Sequence, residues 1–340
     1  MNYRKQLDAE SSRFARDFAA AASQLGDAAP AVRVAGVYAI AALADQYRAQ
    51  RQQCIDLLCG YLRLPYSAEV GAGHVTERTI ETSCTEDGSK SIDRRVYRVD
   101  DREVRLTVIR LIRDRLRPEA VVSWQGLNLD FSGATFDGGD FSDVVFSGGV
   151  VSFGDAIFSG VGVSFEGAEF SGGQVSFRGA KFGHGEVKFD GVRFCGSQVE
   201  FSKAEFSAGV VSFMLAVFAD GSVSFVGAKF CGGEVNFAAN FSGGEVSFGG
   251  GVAPRGAEFS GGSVSFMLSE FSGGSVFFKR VVFSGGRVSF DDAVFSGGEL
   301  SFSGVRLSGG LVTFGDVDLS GSRIDFGGAV LRGGRLEFGG

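Results

Sequence analysis

The stretch FSGGQVSFRGAK, Phe170 to Lys181, decides how this chain folds, because variants of it return about every dozen residues. Phe131, Phe136, Phe141 and Phe146 recur at spacing five, and the later phenylalanines alternate spacings of seven and five, from Phe153, Phe158, Phe165 and Phe170 to Phe237. Two positions before most of them stands a small or β-branched apolar residue. It is Val151, Val163 and Val175 in one half-unit and Ala156, Ala168 and Ala180 in the other. Neither five nor seven fits a helix face or a long plain strand. Residues i−2 and i do share a face of an extended segment. Each half-unit therefore reads as a strand of two or three residues followed by a turn, for which the glycines supply backbone conformations that a Cβ resists. So short a piece cannot bury its Phe alone, and the units must coil and stack.

Composition agrees. Gly is 53 and Phe 35 of 340 residues, while Pro is only 4, which excludes a Pro-rich disordered linker. The net charge is −7. Residues 121–340 hold 14 basic and 23 acidic side chains and residues 1–120 hold 19 and 17, so the repeats are mildly acidic, which disfavours direct nucleic-acid binding there. Cys54, Cys59, Cys84, Cys195 and Cys231 form no disulfide framework and no zinc spacing, and free thiols in a reducing cytoplasm are expected. No run of 18 apolar residues and no signal-peptide core is present, so a cytoplasmic protein is expected.

Residues 1–120 read as a helical module. Phe14 and Phe18 lie four apart, and Pro30 suits the first turn of a second helix. Val34, Val37, Tyr38, Ala41 and Ala42 follow at helical spacing. A third helix is expected over 49–63, with Cys54, Ile55, Leu58, Tyr61 and Leu62 on one side and Pro65 beyond it. Residues 79–98 alternate loosely around Asp87-Gly88 and predict a β-hairpin. Val104, Val108, Ile112 and Leu116 then form an i, i+4 row on a helix that Pro118 stops. Its arginines (102, 105, 110, 113, 115 and 117) read as solvated or paired with Asp101, Glu103 and Asp114. Residues 121–340 form the second domain.

ATFDGGDFSDVVF (134–146) resembles a pentapeptide repeat, in which Leu or Phe centres each five, a small residue sits two before it, and four fives make one right-handed coil. CIDLLCGYLRLPY (54–66), EVRLTVIRLIRDRLRP (103–118) and SWQGLNLDFSGATFDGGDFS (123–142) extend the resemblance to actinobacterial pentapeptide-repeat proteins with an N-terminal helical module. The later FSGG-VSF units differ by two extra residues in every second five. In many such relatives a membrane-spanning segment precedes a stretch like NYRKQ, which implies membrane proximity where one is present. The resemblance specifies a fold, not an activity.

The expected fold is mainly β, a right-handed quadrilateral β-helix of 24 residues per coil capped by the helical module. The alternative is a flat two-sided solenoid of 12 residues per coil. The four opening phenylalanines at spacing five make one square coil and favour the first, although successive 12-residue units look interchangeable.

The functional expectation is a non-enzymatic structural or interaction scaffold, with no cofactor, metal or catalytic residue. His74 and His184 lie near no Cys or acid cluster. The alternative is a DNA-mimic regulator of type II topoisomerase, which some pentapeptide-repeat proteins are. Asp130, Asp137, Asp140 and Asp143, clustered on the first coil, are the candidate partner-binding acids for it. The rhythm breaks near GGGVAPRGAE, and Val252, Pro254 and Arg255 are candidates for a partner-binding bulge. Leu331, Leu336 and Phe338 are candidates for an end-to-end homodimer. Ser152, Ser164, Ser176 and Ser224 are expected to point outward in a row.

Overall fold

The computed structural model describes residues 2–66, 77–86, 89–98, 101–250 and 256–339. They fall into two compact units, residues 1–112 with 128–130, and residues 113–127 with 131–340.

In the first unit, α1 (Asn2–Leu25) packs on α2 (Pro30–Gln46), and a 3-10 turn at Arg48–Gln50 leads into α3 (Arg51–Leu62). Pro30 opens α2, where its missing N–H costs no helical bond. The core gathers Phe14, Leu25, Val37, Ile40, Tyr47, Ile55 and Leu58. Phe14 meets Phe18 at 5.4 Å and the edge of Tyr47 at 5.3 Å. Gly36 lets the helices approach, since a Cβ there would stand 2.9 Å from Gln24 Cβ. On α2 the buried face differs from the sequence expectation. Tyr38 and Ala42 are exposed, while Arg33, Ile40, Leu43 and Ala44 are buried. The cause is Arg33, a charged residue turned inward to an ion pair with buried Asp101 (Nε to Oδ1, 3.0 Å). Tyr61 Oη donates to the same carboxylate at 2.5 Å. Arg105, expected on a solvated row, is buried too. It donates to the Leu62 carbonyl at 2.6 Å and lies 4.4 Å from the Tyr66 ring. The hairpin forms as β1 (Glu77–Glu86) and β2 (Ser89–Arg98), antiparallel, with Glu86 opposite Ser89. Its turn, Asp87-Gly88, lies outside the described residues. On α4 (Arg102–Leu116) the row Val104, Val108, Ile112 and Leu116 is buried as its spacing predicts.

The second unit is a parallel β-solenoid. Phe146 is in register with Phe170 and Phe158 with Phe182, each 24 positions on. A 12-residue coil would have placed Phe146 against Phe158, so the two-sided alternative is excluded. Each coil contributes two strand segments, eight residues long in copies such as Glu169–Ser176 and split into two- and three-residue pieces in others such as Glu205–Phe206 with Val210–Ser212, and they stack into two parallel sheets. The strands bend at the Ser-Gly-Gly or its variants, and in several ladders the register shifts there, as between Phe146 and Val150. The two bends and the two turns that follow each VSF give the coil four corners.

The interior is four columns of phenylalanine. Phe153, Phe177, Phe201 and Phe225 stack 4.7–4.8 Å apart, and Phe165, Phe189 and Phe213 form a second column at 4.8–4.9 Å. These two meet edge to face, as Phe177 does Phe189 at 5.6 Å. Columns through Phe158 and Phe146 flank them. Burying each ring contributes about 1.5–3 kcal/mol. In the flanking columns Leu307 replaces Phe and stays buried, whereas Leu319 and Leu331 are exposed.

The Gly-Gly pair is explained at Gly232-Gly233. A Cβ on Gly232 would stand 2.1 Å from the Ser207 carbonyl oxygen one coil away. Gly233 has φ +69°, the left-handed region that L side chains avoid. The shortened spacing from Phe237 to Phe241 is absorbed, because Phe218 is in register with Phe241. The lengthened one is closed at its base by the Ala257 N–H, which donates to the Phe248 carbonyl at 2.7 Å.

Candidate functional site: the two turn edges of the solenoid

Each VSF is followed by a tight turn in which the residue three beyond the Phe donates back to its carbonyl, as Ala180 does to Phe177 at 3.0 Å. The two central residues of most of these turns face outward, with Ser202 a buried exception, and they are where copies differ. The VSF serines serve these turns and do not form a free hydroxyl row. Ser164 Oγ accepts from the Glu166 N–H at 3.2 Å and Ser176 Oγ from Arg178 at 3.3 Å. Ser152 also pairs with Ser132, and Ser224 with Ser202. Serine here mimics a backbone turn partner two residues ahead.

Successive turns hydrogen-bond to one another along two edges. On one edge the Gly167 N–H donates to Asp190 O, Gly191 to Met214 O and Leu215 to Ala238 O, all at 2.8 Å. Beyond Phe266, Leu268 donates to Asp291 O at 3.3 Å and Asp292 to Gly315 O at 2.8 Å. This edge carries Asp143, Glu166, Asp190, Asp291, Asp292 and Asp316 and no basic turn residue among those described. On the other, Asp155 donates to Arg178 O, Lys203 to Val226 O and Arg280 to Ser303 O. Its turns hold Arg178, Lys203, Lys279 and Arg280 against the single acid Asp155. The solenoid thus has an acidic and a basic turn edge, 12 residues out of phase.

The carboxylates are held firmly. Asp291 Oδ1 accepts from the Gly315 N–H at 2.7 Å and Oδ2 from Thr313 and Ser289 at 2.9 and 2.7 Å. Partial desolvation works to raise its pKa, but these donors and Arg287 outweigh it and hold the group below the ordinary carboxylate range. Asp190 accepts from the Met214 N–H at 3.0 Å and from Ser212 at 2.5 Å.

The candidate acids are differently occupied. Arg63 pairs with Asp130 in the helical unit. Within the solenoid unit Arg113 pairs with Asp140, and Arg117 Nη2 with Asp143 at 2.9 Å. Desolvation opposes the ionisation of Asp140, yet hydrogen bonds from Ser142 and the Arg113 charge lower its pKa. Asp137 is buried. Three of the four acids therefore face arginine and are not presented as a bare row. Val252, Pro254 and Arg255 lie outside the described residues, as does His74. Leu331 and Phe338 are exposed and Leu336 is half-buried, and Phe338 stacks on Phe314 at 5.2 Å.

The acidic edge holds a feature that spacing analysis passed over. At Met214-Leu215 and Met267-Leu268 its turns are apolar, with exposures of 44%, 77%, 40% and 70%. Both leucines have positive φ, +57° and +60°. The signal was legible: FMLA and FMLS put Leu where most other copies on this edge have Gly or Asp.

Among the described residues no helix is long and apolar enough to cross a membrane, and no group of three or more His, Cys, Asp or Glu side chains could hold a metal ion.

A family model described as pentapeptide repeats (9 copies) matches residues 131–181. The similarity covers the opening square coil and the first of the lengthened units. No curated protein and no solved structure matches the chain.

Proposed function

We propose that this chain is a non-enzymatic interaction scaffold. The observation that carries the reading is the division of labour within each coil. The repeated positions, Phe, Val, Ala and the Gly-Gly pair, build a rigid ladder. The variable turn dipeptides are displayed on two edges about 4.8 Å apart per coil. Such a frame holds surface side chains at fixed spacing, as solenoid binding surfaces do. The match of residues 131–181 to pentapeptide repeats supports a structural or interaction role.

A bare acidic stripe of the kind a DNA mimic presents has less support. Asp130, Asp140 and Asp143 are each paired with arginine, and Met214, Leu215, Met267 and Leu268 interrupt the acidic edge.

The test is affinity capture with the tagged full chain from its own cells, alongside a variant whose turn dipeptides are replaced by Ser-Gly. The expected result is a stoichiometric protein partner that the variant loses while keeping its circular dichroism spectrum. A native chain that captures nothing would overturn the reading.

A further inference from the structure

The Met-Leu turns are placed against every interest of the fold. Leu215 and Leu268 adopt a left-handed conformation that glycine would adopt without strain, and they do so with their side chains mostly in water. Their own frame does not need them, because Gly167 and Gly191 make the same turn on the same edge. The patch spans three consecutive coils: Phe213, Phe237 and Phe266 stack at 4.8 Å beneath it, and Ala238 fills the coil between. Two methionines and two leucines therefore lie within about 10 Å along the edge. Methionine is the side chain that repacks most readily against varied apolar surfaces.

What surrounds the patch defines what can cover it. Along the same edge stand Glu166 and Asp190 on one side and Asp291, Asp292 and Asp316 on the other, with Glu166, Asp292 and Asp316 exposed. The carboxylates bracket the apolar centre within about 10 Å at either end. Lys188, beside Asp190, is paired with Glu186 at 3.5 Å, and the turn residues themselves carry charge of one sign, which around an apolar centre selects a partner by complementarity.

We propose that Met214, Leu215, Met267 and Leu268 form a docking site for a basic protein segment, one with an apolar centre and lysine or arginine on both sides of it. From Glu166 to Asp316 the edge measures about 29 Å, the reach of roughly nine extended residues. The apolar centre supplies contact area and the acidic flanks fix its register. This names partner chemistry for the scaffold reading above and rests on it.

The probe is a labelled decapeptide with three lysines, four leucines and three lysines, read by fluorescence anisotropy on the full chain. Saturable binding is expected, weakening with added salt. Replacing its lysines by glutamate, or its leucines by serine, should each weaken binding at least tenfold. In the protein, the quadruple change Met214→Ser, Leu215→Gly, Met267→Ser and Leu268→Gly should also cost at least tenfold. It should raise the melting temperature, because both glycines relieve left-handed strain. Lys203→Gly with Arg280→Gly is the matched control. It relieves the same strain on the basic edge (φ +60° at both) and should leave binding intact. Unchanged binding in the quadruple variant would overturn the site, as would equal binding of the glutamate peptide. So would sedimentation in which the native chain self-associates and the quadruple variant does not, since a second copy would then be the occupant. In affinity capture, a partner retained by the quadruple variant sinks this site and leaves the scaffold standing. Capture of nothing by the native chain sinks the scaffold reading itself.

Discussion

Replacing Phe201 by Leu should cost the solenoid more than replacing Phe206 by Leu, though both rings are buried and neighbours in one coil. Phe201 stacks on Phe177 at 4.7 Å and on Phe225 at 4.8 Å. Phe206 stacks equally well, on Phe182 at 4.8 Å and Phe230 at 4.7 Å. The burial and stacking losses therefore nearly cancel in the comparison. Phe201 alone presents its ring to two more partners edge to face, Phe189 at 5.7 Å and Phe213 at 5.9 Å. Each edge-to-face pair is worth about 0.5–1.5 kcal/mol beyond burial. Phe201→Leu should thus be about 1–3 kcal/mol worse than Phe206→Leu. Leu307, buried in the Phe206 column, shows that this column already accepts leucine. A solenoid need not unfold in one step. The assay is therefore native-state hydrogen exchange localised to residues 199–213, with guanidinium unfolding as a global check. Costs equal within about 0.5 kcal/mol, or reversed in order, would show that ring geometry adds nothing to burial.

Three further outcomes follow from the same geometry. Gly232→Ala, which drives a Cβ against a backbone oxygen, should destabilise well beyond Gly133→Ala, where φ is +71° but no atom lies within 4 Å; thermal unfolding should place the second near 1 kcal/mol. Burial pushes the Cys54 thiol to about 11 and the Cys59 thiol to about 12, so a thiol reagent near neutral pH should label exposed Cys231 ahead of half-buried Cys195 and reach Cys54 and Cys59 only on unfolding, as peptide mapping would show. Asp140 and Asp291 have folded pKa values below their unfolded ones; the stability they contribute is present above about pH 4 and lost as pH falls through the folded values, so Asp140→Asn and Asp291→Asn should flatten the acid side of a melting-temperature profile.

What the sequence disclosed followed from how local each cause is. Val175 and Ala180 fall inward because a two-residue period fixes their side of the strand, and both are buried. The choice between 12 and 24 residues per coil was not local. Either closure offers the same short strand and the same turn, and only the inter-coil register of Phe158 with Phe182 distinguishes them. Arg33 defeated the helical reading for a related reason. Hydropathy turns an arginine outward, and the carboxylate that holds it inside is Asp101, 68 positions away. The acids of the first coil looked like a free cluster because Arg113 lies on α4 and Arg117 just beyond its last residue, and the i, i+4 rule pairs charges only within a helix.

The two edges also answer an objection to the 24-residue coil, that successive 12-residue units look interchangeable. They are interchangeable in their buried residues, where Phe, Val and Ala do the same work on every side. At the turn dipeptides they are not. Glu166, Asp190, Met214, Met267 and Asp291 follow one set of phenylalanines, while Arg178, Lys203, Lys279 and Arg280 follow the other. A flat 12-residue solenoid would bring both sets onto a single edge, mixing acids, bases and exposed apolar residues in alternation. The square coil separates them, so that one edge can be acidic with an apolar centre and the other basic. The alternation that marks a 24-residue coil is therefore written where the chain faces outward, in turn side chains that the packing of Phe, Val and Ala does not dictate.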